Sequence, residues 1–241
     1  MHIILLHGSW HGAWCWHKVV PHLRAAGHTV HVPDLLAHGR DWRFVRGRIS
    51  LAAMTRQVCK ILDQLSEPAM IVAHSRGGII ASGLAEMRPD KIHACVYLAA
   101  YMLRDGERVA DYFRQDKHSL VRKHIQIHKH SLTDSLPEEV QRETLYADCE
   151  ESDVELARSL LTAEPSLPAL TRLRLSAANY GRVTRHYIQL SEDRAVTLEL
   201  QKTMTANSPC ASVHTLQASH SACFSKPLEL ANVIAGIAQE A

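Results

Sequence analysis

Ser75, Asp193 and His220 are the residues whose types and positions could do chemistry together. A serine hydroxyl is a poor nucleophile at neutral pH unless an imidazole takes its proton. The imidazole in turn needs a carboxylate to hold its tautomer and stabilise its cation. Ser75 lies in Met70-Ile71-Val72-Ala73-His74-Ser75-Arg76-Gly77-Gly78-Ile79-Ile80. The apolar run before it, with β-branched Ile71 and Val72, predicts a strand buried on both faces; the run after it predicts a helix. A strand passing into a helix through one serine strains that serine and exposes its hydroxyl, and needs small residues two places on either side. Ala73 and Gly77 meet this need, giving A-x-S-x-G in place of G-x-S-x-G. Taken alone, Ser75 reads equally well as a helix cap. The other two residues decide: each follows a separate predicted strand, so all three fall beyond strand ends in the chain order Ser, Asp, His. Glu192, beside Asp193, competes for the acid's place.

An oxyanion forming on an attacked carbonyl needs N–H donors aimed at it. The Arg76 N–H, at a helix N-terminus just after the nucleophile, is one, and the Ser9 N–H in the turn after the first strand is the other. Gly8 and Trp10 of that turn, with Tyr101 and Met102 after a core strand, are the expected pocket walls. His118, His124, His128 and His130 contain one helical i, i+4 pair, His124 and His128. No carboxylate or cysteine stands at a matching spacing and Lys123 and Lys129 interleave, so the segment reads as a solvated basic face and no metal is expected. Arg40, Arg43, Arg46 and Arg48 read as a solvated loop.

The elements that must position these groups alternate. Strands are expected at 3–6, 29–32, 69–73, 94–99, 185–190 and 212–216, and helices at 14–26, 51–65, 79–87, 198–206 and 227–239. Ser50 is the N-cap of the second helix. This alternation predicts an α/β fold with a mostly parallel, doubly wound sheet. From 101 to 184 no strand is expected, and helical pieces are announced by capping boxes at Ser135-Leu136-Pro137-Glu138 and Ser152-Asp153-Val154-Glu155. The chain therefore reads as one functional domain: a core of 1–100 and 185–241, and a helical cap of 101–184 over the strands' carboxyl ends.

With 46% hydrophobic and 22% charged residues, the 241-residue chain falls in the ordinary globular range, which excludes a disordered or fibrous reading. A formal net charge of +2 gives no electrostatic ground for a nucleic-acid or membrane partner. No run approaches the ~20 apolar residues of a membrane span, and the start lacks a signal peptide's basic region. The six cysteines form no C-x-x-C pair, so buried, reduced thiols in a cytoplasmic protein are expected.

His7-Gly8-Ser9-Trp10-His11-Gly12-Ala13-Trp14-Cys15-Trp16 resembles the first turn of the plant hydroxynitrile lyase and methylesterase group of α/β-hydrolases and its bacterial esterase relatives. The similarity continues through Ala73 to Gly78, Tyr97 to Ala100, Tyr187-Ile188, Glu192 to Ala195 and Ser219-His220, and is weakest from about 105 to 175. The resemblance implies the α/β-hydrolase fold, the acid at Asp193 rather than Glu192, no cofactor, and a small-molecule ester substrate; a homodimer is a common assembly of such proteins. The lyases carry a lysine after the catalytic histidine and a threonine at the place of Gly8, whereas Ser221 and Gly8 stand here. Those departures point to ester hydrolysis through an acyl-enzyme on Ser75. Lyase or cofactor-free oxygenase activity, and a non-enzymatic ligand receptor, are the alternatives on the same fold.

Overall fold

The computed structural model describes residues 1–40 and 48–240. Its first half alternates strand and helix: β1 (His2–Leu6), α1 (Val19–Ala25), β2 (Thr29–His31), α2 (Leu51–Gln64), β3 (Ala69–His74), α3 (Gly77–Met87) and β4 (Ile92–Leu98). The middle holds α4 (Val109–Gln115), α5 (Leu120–His124), β5 (Gln126–His128), β6 (Thr133–Ser135), α6 (Glu138–Leu145), α7 (Glu151–Leu160), β7 (Glu164–Pro165) and α8 (Leu167–Leu170). The chain then returns through β8 (Thr184–Leu190), α9 (Leu198–Asn207), β9 (Ser212–Leu216), α10 (Ala222–Ser225) and α11 (Pro227–Glu240).

Six strands form one sheet in the order β2-β1-β3-β4-β8-β9, with every pair parallel. A parallel sheet is covered on both faces, which is why its strands read as continuous apolar runs. Ile3 and Leu5 pack into one layer with Val19 and Leu23 of α1 and Ile234 of α11. Ile4 and Leu6 pack into the other with Val58 of α2 and Leu84 of α3. The strand order reverses between β1 and β3, and such a reversal opens a crevice beyond the strands' carboxyl ends. The turn after β1 and the elbow after β3 meet there.

The structure departs from the sequence reading in three places. The expected helix over 14–26 is a 3-10 turn at Ala13–Trp16 followed by α1 from Val19. A continuous helix would bury Pro21 in its interior, where the ring clashes with the preceding turn. The segment expected to be wholly helical carries a three-stranded antiparallel sheet, β5-β6-β7. Neither capping box caps a helix: α6 starts after Pro137, with Ser135 inside β6, and α7 starts after Glu150, placing Ser152 inside its first turn. Ser50 does cap α2, its hydroxyl accepting from the Ala53 N–H at 3.2 Å.

Candidate active site

Ser75 sits at the junction of β3 and α3 with φ +54, a left-handed conformation that costs a non-glycine residue about 1–3 kcal/mol. Three backbone hydrogen bonds hold it there. The Ser75 N–H donates to Leu98 O at 3.1 Å, and Ser75 O accepts from Gly78 N at 3.2 Å and Tyr101 N at 3.0 Å. The turn is closed by close approach. A Cβ on Gly77 would lie 2.8 Å from His7 O, and one on Gly78 would lie 2.6 Å from Tyr101 O. Gly77 is therefore needed for contact with the end of β1, and Gly78, the residue after the motif, for contact with the chain leaving β4.

Asp193 follows β8 and His220 follows β9. The His220 Nδ1–H donates to Asp193 Oδ2 at 2.7 Å, between side chains that are both almost fully buried. The other Asp193 oxygen accepts from the Ala195 and Val196 N–H groups at 2.7 and 2.9 Å. With Nδ1 committed to Asp193, the lone pair of His220 is left on Nε2. Glu192 is exposed and accepts from Gln217 Nε2 at 2.8 Å, so of the two neighbouring acids it is Asp193 that meets His220.

The loop carrying His220 is pinned by its neighbours. The His74 Nε2–H donates to the His220 carbonyl at 2.9 Å, and the two rings pack with centroids 4.5 Å apart. Asp148 accepts from the Ser219 N–H at 3.0 Å and also bonds its hydroxyl. The first turn is held in the same way. The His7 Nδ1–H donates to Gly8 O, and His7 Nε2 accepts from the Leu35 N–H. The His11 Nδ1–H donates to Ser9 O while its Nε2 accepts from the Tyr146 hydroxyl, both at 2.6 Å. Burial keeps these rings neutral: it pushes His7 and His74 well below the usual histidine range and His11 down to about 4.

Ser75 and His220 line one cavity of about 280 Å³, together with Ser9, Trp10, Arg76 and Tyr101. Val109, Phe113, Val121, Ile125 and Leu170, from the segment between β4 and β8 expected as a cap, form much of the remaining wall, with Ala195 and Val196 from the core. Four of the expected site residues outside the triad therefore face the cavity, and two do not. Gly8 lies behind Ser75, where a Cβ would come within 2.8 Å of Ser75 Cβ. Met102 is buried away from the cavity against Cys210, with its sulfur 3.7 Å from the thiol.

His124 ends α5, whereas His128 lies in β5 and bonds the Ser135 hydroxyl, so the two share no helix face. Arg40 pairs with Asp34 at 3.5 Å and Arg48 is exposed. Arg43 and Arg46 lie outside the described residues.

Sequence reasoning missed His38, Asp134 and Glu164, which are buried beside the site. The Trp10 N–H donates to Glu164 at 2.8 Å and its indole N–H to Asp134 at 3.0 Å. The Arg76 guanidinium reaches both carboxylates, at 2.5 Å to Glu164 and 3.7 Å to Asp134. His38 Nε2 meets Glu164 at 2.7 Å while Nδ1 faces Leu36 O at 3.0 Å. Burial and the Arg76 charge push this imidazole down to about 4. Both ring nitrogens nevertheless face oxygen acceptors, so the His38–Glu164 contact requires one proton between its partners. With that proton, the four groups are neutral in sum, as burial demands.

A model of the alpha/beta hydrolase family matches residues 3–233. The chain belongs to the alpha/beta hydrolase family. It is 34% identical over 249 residues to putative methylesterase 11, chloroplastic, of Arabidopsis thaliana, covering 99% of this chain and 64% of that protein. The chain thus spans just under two thirds of that relative. With methylesterase 9 of the same plant it shares 32% identity over 253 residues, covering 99% of this chain and 98% of the relative. Among solved structures, a pyrethroid hydrolase from Sphingobium faniae JZ-2 superposes with a TM-score of 0.90 at 27% identity, covering 99% and 97% of the two chains.

Proposed function

We propose that this hydrolase is a serine-dependent carboxylic ester hydrolase that forms an acyl-enzyme on Ser75. The observation that carries the reading is the 2.7 Å bond from His220 to buried Asp193, with His220 and left-handed Ser75 on one cavity wall. Ester hydrolysis is also the activity for which the methylesterase relatives are named.

In this reading His220 Nε2 takes the Ser75 proton as the hydroxyl attacks the ester carbonyl. The tetrahedral oxyanion is met by the N–H groups of Ser9 and Arg76, and Asp193 stabilises the imidazolium. His220 returns its proton to the leaving alkoxide, then activates the water that frees the acid. The residue after His220 is buried, uncharged Ser221, which offers no cation to hold a cyanide leaving group.

The cavity favours a neutral ester with an apolar acid or alcohol. Arg76, the cation on its wall, is already paired with Asp134 and Glu164, so it offers little to a substrate carboxylate. A cytoplasmic setting agrees with six free cysteines, five of them buried.

The test is a pre-steady-state assay with p-nitrophenyl acetate. Wild type should release one nitrophenol per active site in a burst that Ser75→Ala lacks. Equal slow release from both proteins would remove Ser75 as the nucleophile.

A further inference from the structure

We infer that Glu164 and Asp134 are positioning residues that set the oxyanion hole from the cap; the inference rests on the esterase reading above. The two proposed donors, the N–H groups of Ser9 and Arg76, belong to separate loops after β1 and β3. No hydrogen bond between those two residues fixes their separation among the described contacts. Both loops are instead tied to the same pair of carboxylates on a third element, the small sheet of the cap.

Glu164 divides its oxygens between the loops. Oε2 accepts the backbone N–H of Trp10, the residue directly after Ser9, and Oε1 lies 2.5 Å from the Arg76 guanidinium. Asp134 repeats the division: Oδ1 accepts the Trp10 indole N–H, and Oδ2 takes the Ser166 hydroxyl at 3.1 Å and faces Arg76 at 3.7 Å. Trp10 is further fastened by the Thr162 N–H, which donates to its carbonyl at 2.9 Å. These ties explain why a tryptophan holds φ +64, a conformation rare for a bulky side chain.

The cap sheet itself is arranged for this contact. Asp134 and Glu164 stand directly opposite each other across β6 and β7. Like charges in that relation repel, and the Arg76 guanidinium between them removes the conflict. The cap thus completes its own pairing on the side chain whose backbone N–H serves the oxyanion. Glu164 thus joins one directional, charge-assisted hydrogen bond, from the Trp10 N–H, to a buried ion pair with Arg76, and so ties the two loops to one carboxylate.

The experiment compares wild type, Glu164→Gln and Asp134→Asn by steady-state kinetics on a p-nitrophenyl ester and by affinity for two ligands. One ligand is an alkyl trifluoromethyl ketone, whose adduct with Ser75 places an oxyanion in the hole. The other is the matching methyl ketone, which does not form a stable adduct. Glu164→Gln should lower kcat by about 100-fold, and Asp134→Asn, whose carboxylate touches no backbone N–H of the turn, by about 10-fold. KM and methyl ketone affinity should stay within about twofold, and trifluoromethyl ketone affinity should fall in step with kcat. A loss confined to KM and to both ketones equally would make the carboxylates mere supports of the cap and overturn the inference, as would unchanged kcat in folded variants. If Glu164→Gln does not fold, Asp134→Asn is judged by the same criteria. The wild-type nitrophenol burst reports separately on Ser75, so failure of the esterase reading is distinguishable from failure of the clamp.

Discussion

Replacing Gly77 by alanine tests whether the elbow and the first turn are held in register by direct contact. Gly77 opens α3 two residues after Ser75, in an ordinary helical conformation, so alanine meets no backbone penalty there. The obstacle is the new methyl group, 2.8 Å from the His7 carbonyl oxygen and 3.4 Å from that of Leu6. Ordinary contact begins near 3.4 Å, so β1 and α3 must separate by about 0.6 Å. Neither neighbour is a side chain that can swing aside; both are backbone at the end of β1. The separation therefore falls between the loops carrying the Ser9 and Arg76 N–H groups. Displacements approaching 1 Å at a catalytic centre cost on the order of 100-fold, so we expect kcat/KM to fall between about 10- and 100-fold, with about 1–3 kcal/mol of lost stability from overpacking. Gly83→Ala, in the same helix, is the control. Its Cβ would lie 3.0 Å from Oγ1 and 3.2 Å from Cγ2 of Thr55, so its strain falls on the contact between α2 and α3 and not on the loops that carry Ser9 and Arg76. That variant should lose a little stability and keep its kcat/KM. Urea denaturation and ester hydrolysis on the three proteins decide the matter. A folded Gly77→Ala enzyme with wild-type kcat/KM would refute the argument that this contact sets the site.

Three further outcomes follow from named contacts. Asp193→Asn removes the partner that fixes the His220 tautomer, so kcat should fall on the order of 10³–10⁴-fold with little change in KM; a loss under tenfold would show that Asp193 does not orient the base. His7, His11 and His74 are neutral when folded and bind a proton more readily once unfolded, so the unfolded state gains protons as pH drops below about 6.5. Their stabilisation is thus complete above that pH and declines as pH falls toward the folded values, at about 1.4 kcal/mol per pH unit per histidine. Urea midpoints should fall steeply between pH 6.5 and 4.5, and a flat profile there would contradict the buried neutral rings. Gly236 lies in α11 with nothing within 4 Å of an added Cβ. Gly236→Ala should therefore raise stability by about 0.4–1 kcal/mol, and a lower thermal midpoint would count against an open position.

The elbow was legible in the sequence because everything that makes it is local. An apolar β-branched strand, one serine, small residues two places away and a helix occupy about a dozen consecutive positions. Asp193 and His220 were legible for the related reason that each directly follows a strand whose place in the sheet the alternation predicts. The side chains of Arg76 and Met102 show where locality stops. Spacing located the Arg76 backbone N–H, but its guanidinium reaches Glu164, 88 positions away, and no period or motif joins the two. Met102 looks equivalent to Tyr101 because both follow β4, and what separates them is a contact far along the chain, the Cys210 thiol that Met102 packs against. The cap strands were invisible for a different reason. Thr133–Ser135 and Glu164–Pro165 are too short and too polar to show the alternation that marks a strand. They are strands because Arg76 and Trp10 supply partners for the two acids they bear. A buried carboxylate without such a partner would be costly, so the core side chains specify the cap sheet as much as its own residues do.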